Sequence, residues 1–433
     1  MLALLASGCD SIRDTVGIGS SESAPEGMSS RYLGAIVADD PQAVDLARRA
    51  LGSGGRAADA AVVIAVTLTA TEPGRASLDG GGVCLVKGDG NSRIEELDFL
   101  PQTIAGSALP VPGLVRGMAA LQARYGTMRW QQAVGPVEQL ALNGITITSQ
   151  LLADLAAAGL NAQGPNGNPL EAGQRLPQQG VAQTLSRLRV GGPTEFYTGS
   201  LGGELVAAGV PAQALASYVP VWRTGIVADA GNGGRIVFAQ GGGGALGQAA
   251  WQALAGARPE DASAAFTAAR QAGGGDAPDQ AVATTGFLVA DAGGQVVSCT
   301  IGMGKLFGTG QLIENLGIYG ASPFDGPVLT SLAPVIAVGG EGEQTNLVLS
   351  GGEGGGASAD GAAIAYLTLA GKQPLSAALS APRSPSDGGT SPAADRIAGF
   401  HCAGGFPRSP GACALDRDPR GFGFALQADN LMR

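Results

Sequence analysis

The sequence predicts a layered α+β protein, on three observations. Helix-like stretches recur before residue 282, the chain turns strongly β from Val282 onward, and the composition is that of a protein with a core. Apolar residues make 45% of the 433 positions and charged residues only 14%, the opposite of the low-hydrophobicity, high-charge signature of disorder. The 72 glycines and 25 prolines together make about 22%, below the roughly 25–30% at which a low-complexity chain becomes the default. The glycines therefore need a structural use.

Taken in order, Leu33 to Ala38 reads as a strand. Asp40-Pro41 then offers a cap and a first-turn proline for a helix whose apolar face is Val44, Leu46, Ala47 and Leu51, stopped by Gly52 to Gly55. Ala57 to Ala70, interrupted by Asp59 and several threonines, is too short and too polar to span a membrane and reads as a buried helix. The run Asp79-Gly80-Gly81-Gly82 leads into a strand at Val83 to Lys87, and two helices on a sheet is the simplest picture. Val115 to Tyr125, Trp130 to Asn143 and Ser149 to Ala158 are helical, and Asn161 to Gln179 is loop. Another helix-like region lies between the glycine runs at 241–244 and 273–275.

Beyond Val282, Phe287 to Ala290 and Val296 to Thr300 alternate around Asp291-Ala292-Gly293-Gly294 and predict a hairpin. Pro334 to Val338 and Asn346 to Ser350 predict a second. A glycine run, Gly351 to Gly356 with Glu353 inside it, precedes a helix from Ala357 to Leu369. The tail from Ala381 to Arg433 is rich in Pro, Gly and Ser and weakly patterned.

A net charge of −10 and the absence of any basic run exclude nucleic acid and anionic membrane as expected partners. His401 is the single histidine, so a multi-histidine metal site is impossible and a Ser-His-Asp or Cys-His site would have to use that residue. There is no GxxxxGK[ST] loop and no CxxC pair, and neither a metal nor a cofactor is expected. Cys9 ends the run Leu2-Ala3-Leu4-Leu5-Ala6-Ser7-Gly8, which looks like the end of a bacterial lipoprotein signal. On that reading residues 1–28 are a signal remnant and polar tether, the protein is a lipid-anchored periplasmic one, Asp10 favours the inner membrane, and Cys402 with Cys413 can close a short disulfide loop.

The chemistry concentrates at two places. The strand-loop-helix at Ser350 to Ala357 offers unhindered backbone N–H groups at a helix N-terminus, suited to a developing oxyanion but also readable as a flexible connection. Thr284-Thr285 stands where the polar linker Gly273 to Asp279 gives way to the first hairpin. Together they suit a hydrolase that cuts itself before a threonine and uses the freed α-amine, with an unperturbed pKa of ~7.7–8.0, as the base for the adjacent hydroxyl. No histidine is needed.

These residues bring a family into view. The chain resembles the gamma-glutamyltransferases (glutathione hydrolases), which are N-terminal-nucleophile hydrolases, through motifs that run in the family's order. They are Gly54 to Ala61, Glu72-Pro73 through Gly82, Val111-Pro112-Gly113, Arg124 to Thr127, Phe196 to Gly199, Thr284-Thr285, Phe307 to Gly310, Thr330 to Pro334 and Gly351 to Gly356. The resemblance covers roughly residues 33–383 and implies a four-layer αββα sandwich. It also implies a large-subunit-like segment over residues 29–283 and a small-subunit-like segment over 284–433, forming one intertwined domain. Thr284 becomes the nucleophile exposed by cleavage after Ala283, Gly354 and Gly355 the oxyanion pair, and Thr330-Ser331 the substrate-contacting pair. The implied substrate is a small amide of the gamma-glutamyl type.

The departures fall on the pocket. Leu100 stands where the family keeps the arginine that holds the glutamyl carboxylate, and a leucine supplies neither its charge nor its fork. Gly302 and Gly304 replace a threonine and an asparagine. Gly286 replaces a histidine, and Asp325 alone remains as an acid for the substrate amine. Three readings stay open: an acylase for a less polar substrate, a gamma-glutamyltransferase that uses Arg75, Lys305 or Asp325 instead, and an uncleaved envelope binding protein.

Overall fold

The alternation around residues 287–300 extends into two ten-residue strands, Val282–Asp291 and Val296–Lys305, which lie at the centre of a seven-stranded antiparallel sheet. A computed structural model describes residues 29–90, 93–160, 163–164, 167–273, 282–340, 343–352, 356–383, 396–408 and 410–432. The first sheet runs Phe424–Met432, Ser29–Ala38, Val282–Asp291, Val296–Lys305, Gly81–Lys87, Ile94–Phe99, Val221–Thr224. The second runs Ala414–Arg417, Arg396–Phe406, Gln344–Gly352, Val335–Gly339, Gly234–Phe238, Ile226–Gly231.

Side-chain alternation makes the layers. Val83, Leu85, Leu288 and Ala290 of the first sheet pack against Val237, Ile336, Val348 and Phe400 of the second. The opposite face of the first sheet, with Cys84, Phe287, Val289 and Ile301, is covered by a helical layer that includes Ala57–Thr71. All fifteen residues of that helix are buried, which explains its lack of a polar face. Phe238, Val335 and Leu349 turn outward from the second sheet onto Trp251, Phe266 and Ile364 of the other helical layer. The result is the four-layer αββα sandwich.

Three parts of the chain differ from the sequence expectation; the stretch expected as loop up to Gln179 contains the short strand Arg175–Leu176, made by pairing with Ile145–Thr146. The tail holds three strands, Arg396–Phe406, Ala414–Arg417 and Phe424–Met432, and the last pairs along the whole of Ser29–Ala38. Ala414–Arg417 is short and Arg396–Phe406 glycine-bearing, and in all three, pairing with other segments, not local alternation, makes the strand. The single helix-like region after residue 241 is two helices, Gly244–Ala257 and Ala262–Ala272, the second capped by Asp261.

Cys402 and Cys413 are paired as expected, and Cys84 is paired with Cys299, a bond the sequence did not suggest. No helix among the described residues is long and apolar enough to cross a membrane. Cys9 and its tether lie outside the described residues.

Candidate active site

Thr284 lies near the start of its strand and faces the gap between the two sheets, fully buried. Its Oγ1 donates to Ser331 Oγ at 3.2 Å, while Ser331 donates its own proton to the Val328 carbonyl at 2.7 Å. The serine proton is thus committed elsewhere, and its oxygen is presented to Thr284 as an acceptor. The next residue faces the helical layer: Thr285 Oγ1 donates to Asp39 Oδ2 at 2.6 Å.

Ser331 ends the short helix Gly326–Ser331, and two contacts hold that helix in place. The Ser358 hydroxyl donates to the Thr330 carbonyl at 2.6 Å, and the Gly243 N–H donates to the Leu332 carbonyl at 3.1 Å. The loop carrying Gly243 is clasped by Glu96, whose buried carboxylate accepts the N–H groups of Gln240 at 2.5 Å and Gly241 at 2.7 Å. Arg223 completes the clasp by pairing with both Glu96 and Asp98. Thr330 turns its hydroxyl to the Pro327 carbonyl at 3.0 Å, so of the expected pair it is Ser331 whose side chain meets Thr284.

Gly354 and Gly355 lie outside the described residues. The strand end before them does reach the site: a Cβ on Gly352 would lie 3.0 Å from the Gly286 nitrogen and 3.2 Å from Thr285 Cα. Hydroxyl bonds across the sandwich fix this approach. Thr300 donates to the Gly351 carbonyl at 2.5 Å, Ser298 to the Leu349 carbonyl at 2.7 Å, and Ser350 back to the Cys299 carbonyl at 2.6 Å. Small hydroxyl residues allow the sheets to come close while keeping buried carbonyls satisfied.

The glycines expected at the pocket have structural uses. Gly302 pairs with Thr284 across the strands, and a Cβ on it would lie 2.7 Å from both the Ala283 carbonyl oxygen and Thr284 Cγ2. Gly304 has φ +86°, and its Cβ would meet Ser322 Oγ at 2.2 Å. A register shift lies between these two glycines, opposite the Ala283–Thr284 peptide. Leu100 is half-buried and packs against the inter-sheet apolar cluster. Arg75, one of the residues considered in place of the arginine expected at Leu100, is 7% exposed, and its Nε and Nη2 each donate to Asp154 at 2.6 Å. Buried in this way, its charge is met by the Asp154 carboxylate. Lys305 and Asp325 are exposed, the first at the strand end opposite Val282 and the second beside the Ser331 helix.

Residues 100–257 match the family model described as gamma-glutamyltranspeptidase. Over this segment the chain is similar to the gamma-glutamyltranspeptidase family. It is 28% identical to a glutathione hydrolase proenzyme of Escherichia coli over 45% of this chain, and 30% identical to one of Pseudomonas aeruginosa over 44%. The matches span only 40% of the length of each of these curated relatives. A solved cephalosporin acylase from Bacillus halodurans shares the fold, with a TM-score of 0.75 over 94% of this chain and 98% of that one at 17% identity. Sequence reasoning missed Glu96, Asp39 and Ser358. None of the three carried a signal in the sequence, because each acts through a partner distant in the chain.

Proposed function

We propose that this gamma-glutamyltranspeptidase relative is a self-cleaving N-terminal-threonine amide hydrolase or acyltransferase whose acyl site is less polar than a glutamate head-group requires. The observation that carries this reading is the Thr284–Ser331 contact beside the strand end that leads into the 351–356 glycine run. In processing, Thr284 Oγ attacks the Ala283 carbonyl carbon, the peptide C–N bond breaks, and the hydroxyl proton is transferred to the departing nitrogen. Water then hydrolyses the ester, leaving an Ala283 carboxylate, the Thr284 hydroxyl and a free α-amine. In turnover the α-amine takes the hydroxyl proton as Oγ attacks a substrate amide and returns it to the leaving amine. Water, or an acceptor amine, then releases the acyl group. Gly354 and Gly355 are the proposed oxyanion donors.

Both attacks use the same oxygen, so a substrate carbonyl takes the place that Ala283 holds before cleavage. That place is walled by Met303 and Ala321, with Leu306 and Tyr319 beside them. An uncharged acyl group suits it better than a zwitterion. Residues 29–283 and 284–433 are then the two subunits. The Cys9 motif and the two disulfides fit a lipid-anchored protein of the oxidising periplasm.

The test is a reducing denaturing gel with intact mass of the purified protein beside Thr284→Ala. Two fragments divided at Ala283–Thr284, absent from the variant, are expected. A single uncut chain in both would sink the reading and leave the binding-protein alternative. Turnover of uncharged acyl anilides over gamma-glutamyl-anilide then tests the acyl site.

A further inference from the structure

We propose that Asp79 is a positioning residue for the cleavage before Thr284, acting as an uncharged acid; this rests on the self-cleavage reading. Asp79 is fully buried in the turn before the strand Gly81–Lys87. Its Oδ2 accepts the Ala321 N–H at 2.8 Å, and its Oδ1 has no partner. Ser77 secures the same segment by donating to the Tyr319 carbonyl at 2.7 Å. Ala321, held in this way, packs with Ala283 and Met303 in one apolar cluster at the shifted register beside the scissile peptide. Asp79 therefore holds the wall against which Ala283 rests.

Its protonation matters because it is close. Gly80 abuts the Gly302 carbonyl, and Gly302 pairs with Gly81 on one side and Thr284 on the other. This puts Asp79 two strand spacings, roughly 10 Å, from the nucleophile. Burial pushes its carboxyl up to about 8, against the lowering effect of the Ala321 N–H. The titratable group facing it is Tyr197, whose hydroxyl donates to the Pro112 carbonyl and whose ring carries Arg116. Arg75 is committed to Asp154. A negative charge at that distance opposes the oxyanion formed at the Ala283 carbonyl, and at an effective dielectric of ~20 it slows the step about tenfold.

The experiment follows cleavage of the precursor from pH 6 to 9.5 in the unaltered protein, Asp79→Asn and Asp79→Leu, with Thr284→Ala as the uncut control. Asp79→Asn keeps an acceptor for Ala321 and is expected to match the unaltered protein at pH 6–7 and to cut about tenfold faster above pH 8. Asp79→Leu, with no acceptor, is expected to cut slowly at every pH. A shared alkaline profile for the unaltered protein and Asp79→Asn, or normal cleavage in Asp79→Leu, overturns the inference while leaving self-cleavage standing. An unaltered protein that never cuts overturns both. In the Thr284→Ala background, melting temperature gives a second reading. A carboxyl raised in the folded state contributes stability below its unfolded value of ~4 that is lost as pH rises through about 8. The melting temperature should therefore fall relative to Asp79→Asn across that window; parallel curves count against an uncharged Asp79.

A second inference rests on a different observation. Cys84 and Cys299 lie directly opposite each other on adjacent strands, both buried and joined by a disulfide, and they stand on opposite sides of Thr284 in the chain. We infer that cleavage leaves the two subunits covalently tied through this bond. Its formation passes two electrons and two protons to a disulfide-exchange oxidant of the compartment. After alkylation of free thiols, a non-reducing gel should show one species of precursor mass plus one water that separates into two on reduction, whereas Cys84→Ser separates without reductant. Separation of the unaltered fragments without reductant overturns the inference. If the chain stays uncut under reduction, the inter-subunit role falls with the cleavage reading, and a non-reduced digest lacking the Cys84–Cys299 peptide overturns the bond itself.

Discussion

Thr284 and Ser331 are 47 residues apart in the chain and 3.2 Å apart at their hydroxyl oxygens, with the serine oxygen as acceptor because its proton serves Val328. Ser331→Ala removes the acceptor that aims the threonine hydroxyl. A lost hydrogen bond of this kind costs about 1–1.5 kcal/mol, so the cleavage rate is expected to fall about tenfold. A time course of intact mass checks it, and an unchanged rate would show that Ser331 does not orient the nucleophile.

Glu96 is expected to matter for both stability and processing. Glu96→Ala leaves the Gln240 and Gly241 N–H groups without their acceptor and deprives Arg223 of one of its two acidic partners. The expected loss is about 3–5 kcal/mol in denaturant-induced unfolding, as for a broken buried ion pair. The Thr284→Ala background removes any effect of cleavage on that measurement.

The helix after the glycine loop is anchored by Asp360. Arg270 binds it through two nitrogens at 2.9 Å each, and Arg383 at 3.0 Å. Burial opposes its charge, but Arg383 and Arg270 outweigh that and hold the carboxyl below its ordinary range. A lowered folded-state value contributes stability above the unfolded value of ~4 that is lost as pH falls through the folded one. Asp360→Asn is therefore expected to cost about 3–5 kcal/mol at pH 7, with the gap narrowing below about pH 4. Urea titrations at the two pH values check it.

Placing an arginine at position 100 is not expected to confer glutamate recognition. The backbone N–H of Leu100 is bound to Asp98 Oδ1 at 3.0 Å, and Asp98 already pairs with Arg223. A guanidinium introduced by Leu100→Arg has that carboxylate as a nearby competitor, and Gly302 and Gly304 remain without side chains. Gamma-glutamyl-anilide turnover in Leu100→Arg should stay within about twofold of the unaltered protein, and a large rise would show that Leu100 alone keeps glutamate out of the pocket.

Much of the fold was legible because its helices and central hairpins are written locally. Asp40-Pro41 caps and starts the helix Pro41–Gly52, and Asp40 does accept the Ala43 N–H. The two hairpins needed only alternation and turn residues. The tail strand Phe424–Met432 was not legible, because its partner is Ser29–Ala38 at the other end of the chain. The same limit hid the Cys84–Cys299 bond, which depends on the register of strands 215 residues apart.

By itself the sequence determined most of the helices and the central hairpins, which follow from residue type and near-neighbour spacing, and it left His401 as the single histidine; Thr284 became the candidate nucleophile through the family resemblance. Only the tertiary structure decided what surrounds that threonine. It committed Arg75 to Asp154, brought Ser331 and the strand end at Gly352 to the site, and gave Gly302 the role of making room for the Ala283 carbonyl and the Thr284 methyl. The physical reason is that a site between two sheets is assembled from strand register and close packing, and both are relations between segments far apart in the chain.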